Sequence, residues 1–113
     1  MVLVDFWNTW CGPCRMALEA IEPKKKGELK NDDLVWLYIA NETSPNSKYL
    51  TMIPNIEGKH YRLVNEQWKV ITEQLKIHGI PSYVLVDREG RYSLRNDFRH
   101  PEQLLSNLKK MLK

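Results

Sequence analysis

The chain has 113 residues and 42% hydrophobic content, enough for one domain with one apolar core. Its 17 Lys and Arg residues against 14 Asp and Glu residues leave a net charge of +3, too small an excess to indicate a nucleic-acid-binding protein. No apolar run approaches the ~18 residues of a membrane-spanning helix, and the sequence shows no signal peptide.

The first third of the chain predicts a strand, a helix and a second strand. Residues 2–7 (VLVDFW) form a nearly continuous apolar run, typical of a strand buried on both faces. Pro13 is favourable in the first turn of a helix, and Pro23 should kink or end that helix. One apolar stripe lies between them at helical spacing: Cys14, Ala17, Leu18 and Ile21. Residues 34–40 (LVWLYIA) predict a second buried strand, so this segment predicts a right-handed parallel unit.

The densest basic cluster, residues 23–30 (PKKKGELK), follows that stripe. A charge run of this kind is typical of the solvated end of a helix. A docking patch for an acidic partner is the alternative interpretation.

A long connection follows, from residue 41 to residue 79. Its first part is predicted to be a loop with one helical turn near residues 47–52. In its second part Asn65 is predicted to cap a helix. The inward face of that helix consists of Val64, Trp68, Ile71 and Leu75.

The last third of the chain predicts a hairpin and a final helix. Residues 82–87 and 91–94 flank the turn sequence DREG, which favours an antiparallel pair. Pro101 opens the final helix, whose inward residues are Leu104, Leu108, Met111 and Leu112. The predicted order is therefore β-α-β-α-β-β-α around a mixed sheet of about four strands, without an internal repeat or a second domain.

Cys11 and Cys14 are the only two cysteines, and they stand three residues apart where the first helix begins. This spacing brings two Cβ atoms to about 5–6 Å, close enough for a disulfide after a small local adjustment. Free N–H groups and the positive end of the helix dipole stabilise a thiolate at Cys11, and a thiolate is the form that attacks disulfides. Cys14 lies on the stripe that faces the sheet and is expected to react second.

Three other interpretations of the cysteine pair are possible. Zinc normally needs four ligands, whereas no second CxxC exists and His60, His78 and His100 are scattered. An inert structural disulfide would close so short a loop that it should stabilise little. Two buried free thiols would not explain the Gly-Pro pair between them. Dithiol exchange is the interpretation that the spacing favours.

Two stretches of the sequence resemble a known family. Residues 4–14 (VDFWNTWCGPC), with residues 79–90 (GIPSYVLVDREG) far downstream, resemble the thioredoxin superfamily, and the element order agrees along almost the whole chain. Within that superfamily the chain is most similar to the TlpA/ResA-type domains of bacterial cell envelopes, including C-terminal domains of multi-domain Bacteroidetes proteins. The resemblance implies an α/β fold, a three-layer α/β/α sandwich with an insertion at about residues 41–64.

The chain departs from the family pattern at Asn8, which we expect to be harmless, and in having no strand–helix pair before Val2. The second departure leads us to expect that residues 1–113 are a single domain forming the C-terminal part of a longer protein.

The resemblance also implies the peptide-binding residues. Pro81 matches the cis-proline of the superfamily, and the backbone of Ile80 would pair with an extended peptide so that a substrate cysteine lies over Cys11. Trp10 would form the rim of the site, with Gly12 and Pro13 beside it, while Trp7 packs in the core. The alternative for Pro81 is a proline that only begins an edge strand.

Asp5 interrupts an apolar strand, where an ionised carboxylate is costly. In the family an acid at this position lies beneath the second cysteine and exchanges a proton with it. Burial raises the pKa of a carboxyl group, which suits a proton acceptor near neutral pH. We therefore expect Asp5 to be the general base for Cys14, with a merely structural or exposed Asp5 as the alternative.

Taken together, these residues predict a thiol-disulfide oxidoreductase that reduces protein or peptide disulfides, since Gly-Pro between the cysteines resembles reducing thioredoxins. The redox-active Cys11–Cys14 pair would need no metal or organic cofactor. The resemblance implies a monomer in the periplasm or cell envelope that receives electrons from a membrane thiol donor; the cytoplasm is the alternative location. A disulfide oxidase or isomerase and a redox-inactive peptide-binding module are the alternative functions.

Overall fold

The computed structural model describes residues 1–112, in which five strands form one mixed sheet. The strands are β1 (Val2–Phe6), β2 (Val35–Asn41), β3 (Lys59–Leu63), β4 (Ser82–Val86) and β5 (Tyr92–Leu94), and their order across the sheet is β3-β2-β1-β4-β5. β2 is parallel to both β1 and β3, whereas β4 is antiparallel to both β1 and β5. The helices are α1 (Gly12–Ile21), α2 (Asn46–Met52), α3 (Asn65–Gln74) and α4 (Pro101–Met111).

Two apolar cores lie on opposite faces of the sheet, which makes the fold a three-layer α/β/α sandwich of the thioredoxin type. One core joins the sheet to α1, α2 and α4; its helical members are Cys14, Leu18, Ile21, Tyr49, Leu104 and Leu108. The other joins the opposite face to α3 and includes Phe6, Ile39, Val84, Trp68, Ile71 and Leu75. Residues alternate between these faces along each strand, so Asp5 shares the α1 face with Leu3.

The sheet has one strand more than the sequence predicted. β3 comes from the stretch expected to be a loop, because its side chains are mostly exposed and give little apolar alternation. Pairing with β2 supplies the backbone partners that this short polar segment lacks by itself. Gly58 allows the close approach: its φ is +149°, and a Cβ there would lie 2.7 Å from the Trp36 carbonyl oxygen.

The other predicted elements are present with small shifts at their ends. α2 is a seven-residue helix rather than one turn. The predicted cap of α3, Asn65, is wrong by one residue: Val64 precedes the helix, and the Asn65 N–H donates to Glu42 Oε1 at 2.8 Å. Sequence alone could not show that the carboxylate of Glu42, directly after β2, would accept this N–H. The predicted inward position of Val64 is also wrong, because Val64 is 50% exposed.

The basic cluster at residues 23–30 is not a uniformly solvated helix end, because Lys25 is buried. α1 ends at Ile21 and continues as a 3₁₀ turn over Glu22–Lys26, with Pro23 in its first turn. The tighter turn directs the Lys25 side chain onto the sheet, over the rings of Trp36 and Tyr38. Its neighbours Lys26 and Lys30 are exposed, as expected.

Candidate active site

The two cysteines lie where α1 begins, directly after the loop that follows β1. Cys11 is the N-cap residue, and a disulfide joins it to Cys14 with a Cα–Cα separation of 5.2 Å. The backbone N–H of Cys14 points at Cys11 Sγ from 3.2 Å. A negative charge on this sulfur would therefore be stabilised by a backbone donor and by the helix dipole.

Both cysteines of the disulfide are buried. Cys14 is 1% exposed and Cys11 is 5% exposed, and both belong to the core that includes Trp7 and Leu18. Gly12 and Pro13 between them are exposed.

The loop before β4 lies against the disulfide. Cys11 Sγ is 3.9 Å from the carbonyl oxygen of Ile80, and the Ile80–Pro81 peptide bond is cis, as the resemblance implied. Pro81 is buried and Ile80 is half-buried. The structure thus brings together residues that are 69 positions apart in the sequence.

Trp10 forms an exposed rim beside Cys11, with 61% of its surface accessible. Its indole Nε1–H donates to Thr43 Oγ1 at 2.9 Å, and the Thr43 hydroxyl donates to Asn41 Oδ1. The loop after β2 therefore holds the orientation of this ring. Sequence reasoning missed Thr43 and Asn41, whose polar side chains look like ordinary loop residues.

Asn8, expected to be a harmless departure, is 1% exposed and connects two loops. Its Oδ1 accepts the Asn41 N–H at 3.0 Å and the Ser44 hydroxyl at 2.7 Å. Ser44 Oγ in turn accepts the Thr9 N–H at 3.0 Å. These bonds tie the dithiol loop to the loop after β2, so Asn8 has a structural role that its position alone did not indicate.

Asp5 lies in the middle of β1, paired with Tyr38 of β2 and Tyr83 of β4. It is 5% exposed, and its Oδ1 has no hydrogen-bond partner within residues 1–112. Burial raises the pKa of Asp5 from its ordinary value of 3.8 to about 7, although the Lys25 charge lowers it in part. Burial also raises the pKa of both tyrosines, so their side chains stay neutral beside Asp5.

Lys25 supplies the nearby positive charge and is held in one place. Its Nζ donates to Tyr38 OH at 2.5 Å, to Glu22 Oε1 at 2.7 Å and to the Glu57 carbonyl oxygen at 2.7 Å. Burial lowers the pKa of Lys25, while the hydrogen bond and charge of Glu22 and the charge of Asp5 oppose that shift. Lys25 therefore lowers the proton affinity of Asp5 from the same face of the sheet.

Replacement of this lysine is expected to change the titration of Asp5. In Lys25→Met the pKa of Asp5 should rise above its wild-type value, because the positive charge that favours the carboxylate is removed. A ¹³C carboxyl titration of the oxidised protein measures this directly. Exposed Lys26 provides the control: Lys26→Met should leave the Asp5 midpoint in place, and an unchanged midpoint in both variants would contradict the coupling.

Within residues 1–112, no group of three or more His, Cys, Asp and Glu side chains could hold a metal ion. In the same range, every helix is too short or too polar to cross a membrane.

A family model described as Thioredoxin-like matches residues 1–92. Thioredoxin from Staphylococcus aureus is 38% identical over 55 residues, which cover 48% of this chain and 53% of that protein. The chain thus spans about half the length of this relative.

Solved structures share the whole architecture. The thioredoxin domain of a thiol-disulfide oxidoreductase from Bacteroides vulgatus has a TM-score of 0.80 and 20% identity, covering 99% of this chain and 79% of that one. An exposed lipoprotein thioredoxin from Streptococcus pneumoniae has a TM-score of 0.65 and 22% identity, covering 96% and 83%. At these identities the two structures support the fold.

Proposed function

The chain belongs to the thioredoxin-like family, and from this premise we propose that it is a protein-disulfide reductase. The observation that carries the proposal is the Cys11–Cys14 disulfide at the start of α1, with Asp5 buried on the sheet face that α1 covers. Gly12-Pro13 between the cysteines resembles the pair in reducing thioredoxins. The redox group is the dithiol itself.

In the first step the Cys11 thiolate attacks one sulfur of the substrate disulfide. A Cys11–substrate S–S bond forms, the substrate S–S bond breaks, and the leaving thiolate takes a proton from solvent. The backbone N–H of Cys14 and the N-terminus of α1 stabilise the attacking thiolate. Ile80 lies beside Cys11, where its backbone can pair with an extended peptide.

In the second step Cys14 resolves the mixed disulfide. Asp5 accepts the Cys14 proton, and the Cys14 thiolate attacks Cys11 Sγ. The Cys11–substrate bond breaks, the leaving substrate thiolate takes a proton from Asp5 or solvent, and the Cys11–Cys14 disulfide remains. Two electrons have passed from the dithiol to the substrate. A carboxyl group with a pKa of about 7 can both accept and return a proton near neutral pH.

Turnover requires an electron donor that reduces Cys11–Cys14. We assign this role to a membrane thiol protein and place the domain, as a monomer, in the periplasm or cell envelope. The similarity to an exposed lipoprotein thioredoxin supports this location. Protein or peptide disulfides are the proposed substrates.

The reduction potential tests the direction of the reaction. We expect the couple to lie nearer the ~−270 mV of thioredoxin than the ~−120 mV of a strong oxidant. Equilibration with glutathione buffers of graded ratio measures it, with insulin reduction assayed in parallel. A potential above about −180 mV would instead favour an oxidase or isomerase.

A further inference from the structure

A groove of about 250 Å³ lies next to the dithiol, between the Trp10 rim and α3. Its apolar walls include Trp10, Trp68, Ile77 and Ile80, while Asn8 and Asn41 contribute a polar part. Because the Ile80 carbonyl is 3.9 Å from Cys11 Sγ, the groove begins where a substrate cysteine would react. Sites for whole small molecules measure roughly 300–1,000 Å³, so this volume suits a single side chain.

The polar part of the groove offers one accessible amide donor that has no acceptor in the described part of the chain, the NH2 group of Asn41. Asn41 is 7% exposed, and its Oδ1 accepts from Thr43, which fixes its NH2 group on the other side. Within residues 1–112 this NH2 group makes no hydrogen bond and, unlike that of Asn8, is not sealed from solvent. The Asn8 NH2 group also lacks an acceptor there, since Asn8 Oδ1 must face the Asn41 N–H.

The charges around the groove distinguish among possible side chains. Apart from His78, every residue that lines it is uncharged. An ammonium group entering the groove would therefore lose hydration without meeting an opposite charge, and a carboxylate could meet only His78. A neutral oxygen acceptor on an apolar stem satisfies both the accessible Asn41 NH2 donor and the apolar walls.

We propose that this groove binds the carboxamide side chain of a glutamine or asparagine that adjoins the reacting cysteine of a peptide disulfide. The stem of this side chain packs between Trp10 and Trp68, and its carbonyl oxygen accepts from the Asn41 NH2 group. The inference rests on the proposed disulfide reduction and adds a preference among its substrates.

The test uses peptides whose single cysteine carries a thionitrobenzoate leaving group. The reduced protein attacks the peptide sulfur, a Cys11–peptide bond forms, and coloured thionitrobenzoate is released. Gln, Met and Glu are compared at each position flanking the cysteine, because Met has nearly the shape of Gln without its amide. We expect Gln peptides to react about fivefold faster than Met peptides at one position, as for one neutral hydrogen bond, and Glu peptides to react more slowly than Gln.

The Gln/Met rate ratio cancels any change that affects the attacking thiolate alone. In Asn41→Asp the groove loses its NH2 donor while Oδ1 can still accept from Thr43, so the ratio should fall to about 1 or below. Asn46→Asp adds the same charge at an exposed site outside the groove and should keep the wild-type ratio.

Each outcome bears on a separate claim. A wild-type ratio of 1 or less at both positions, or an unchanged ratio in Asn41→Asp, would overturn the groove assignment. The wild-type peptide series is decisive even if Asn41→Asp does not fold. Failure of the wild-type protein to reduce 5,5′-dithiobis(2-nitrobenzoate), which carries no peptide, would instead contradict the proposed reductase function.

Discussion

Cys11→Ser is expected to reduce insulin-disulfide reduction to the uncatalysed background, a loss on the order of 10³-fold or more. A serine hydroxyl stays protonated near neutral pH, so neither the helix dipole nor the Cys14 N–H has a thiolate to stabilise. Turbidity of insulin B chains in the presence of dithiothreitol measures the loss.

Cys14→Ser is the matched variant for this experiment. It keeps the Cys11 nucleophile but removes the buried resolving thiol, so the first step should proceed and the mixed disulfide should accumulate. Mass spectrometry of the protein with a disulfide peptide detects this adduct. Accumulation in Cys11→Ser rather than in Cys14→Ser would show that the roles of the two cysteines are reversed.

Asp5→Ala is expected to make the oxidised protein more stable at pH 8 while slowing resolution of the mixed disulfide. The pKa of Asp5 in the folded protein is about 7, above its unfolded value of ~3.9, so the folded state binds this proton more tightly. Asp5 is therefore least costly below pH 3.9. As the pH rises from 3.9 to 7, stability is lost, and the full cost persists above pH 7.

The size of this effect follows from the pKa difference. At ~1.4 kcal/mol per pH unit, the ionised Asp5 costs about 4 kcal/mol above pH 7 and about 1.5 kcal/mol at pH 5. The difference in free energy of unfolding between Asp5→Ala and wild type should therefore be about 2–3 kcal/mol more in favour of the variant at pH 8 than at pH 5. The cavity left by the smaller side chain subtracts a similar amount at both pH values and does not alter this difference.

Urea unfolding of the oxidised proteins at pH 5 and pH 8 measures the stability change, and single-turnover kinetics measure the resolving step. Asp32→Ala is the control, because Asp32 is an exposed aspartate on the surface and should show no comparable pH dependence. An Asp5→Ala protein that is less stable at pH 8 and resolves the mixed disulfide at the normal rate would refute both the buried state and the proton transfer.

The sequence by itself determined the elements whose signals are local. The Cys14–Ile21 stripe at helical spacing lies buried on α1, and Pro13 stands in its first turn. The apolar runs around Val4 and Leu37 became the central parallel strands. These signals succeed because a helix face or a buried strand must be apolar at fixed spacing whatever packs against it.

Local sequence also identified the cysteine pair and the unusual aspartate, but not the side chains that surround them. Three-residue spacing at a helix start is enough to bring Cys11 and Cys14 together, and an aspartate in an apolar strand is enough to mark Asp5 as unusual. The charge that moderates Asp5 comes from Lys25, whose basic neighbours made it look like a solvated residue. Its burial depends on a 3₁₀ turn and on rings from β2, which no short window contains.

Tertiary structure alone decided the additional strand β3 and the groove beside the dithiol. β3 is a strand because β2 offers an edge to pair with, and the side chains of Lys59, Tyr61 and Arg62 are exposed there. Asn8 and Asn41 are 33 positions apart, yet a hydrogen bond joins them at the polar part of the groove. Hydrogen bonds between distant segments leave no periodic signal in the sequence. The strand that pairs with β2 and the amide donor that faces the groove could therefore not be predicted from the sequence alone.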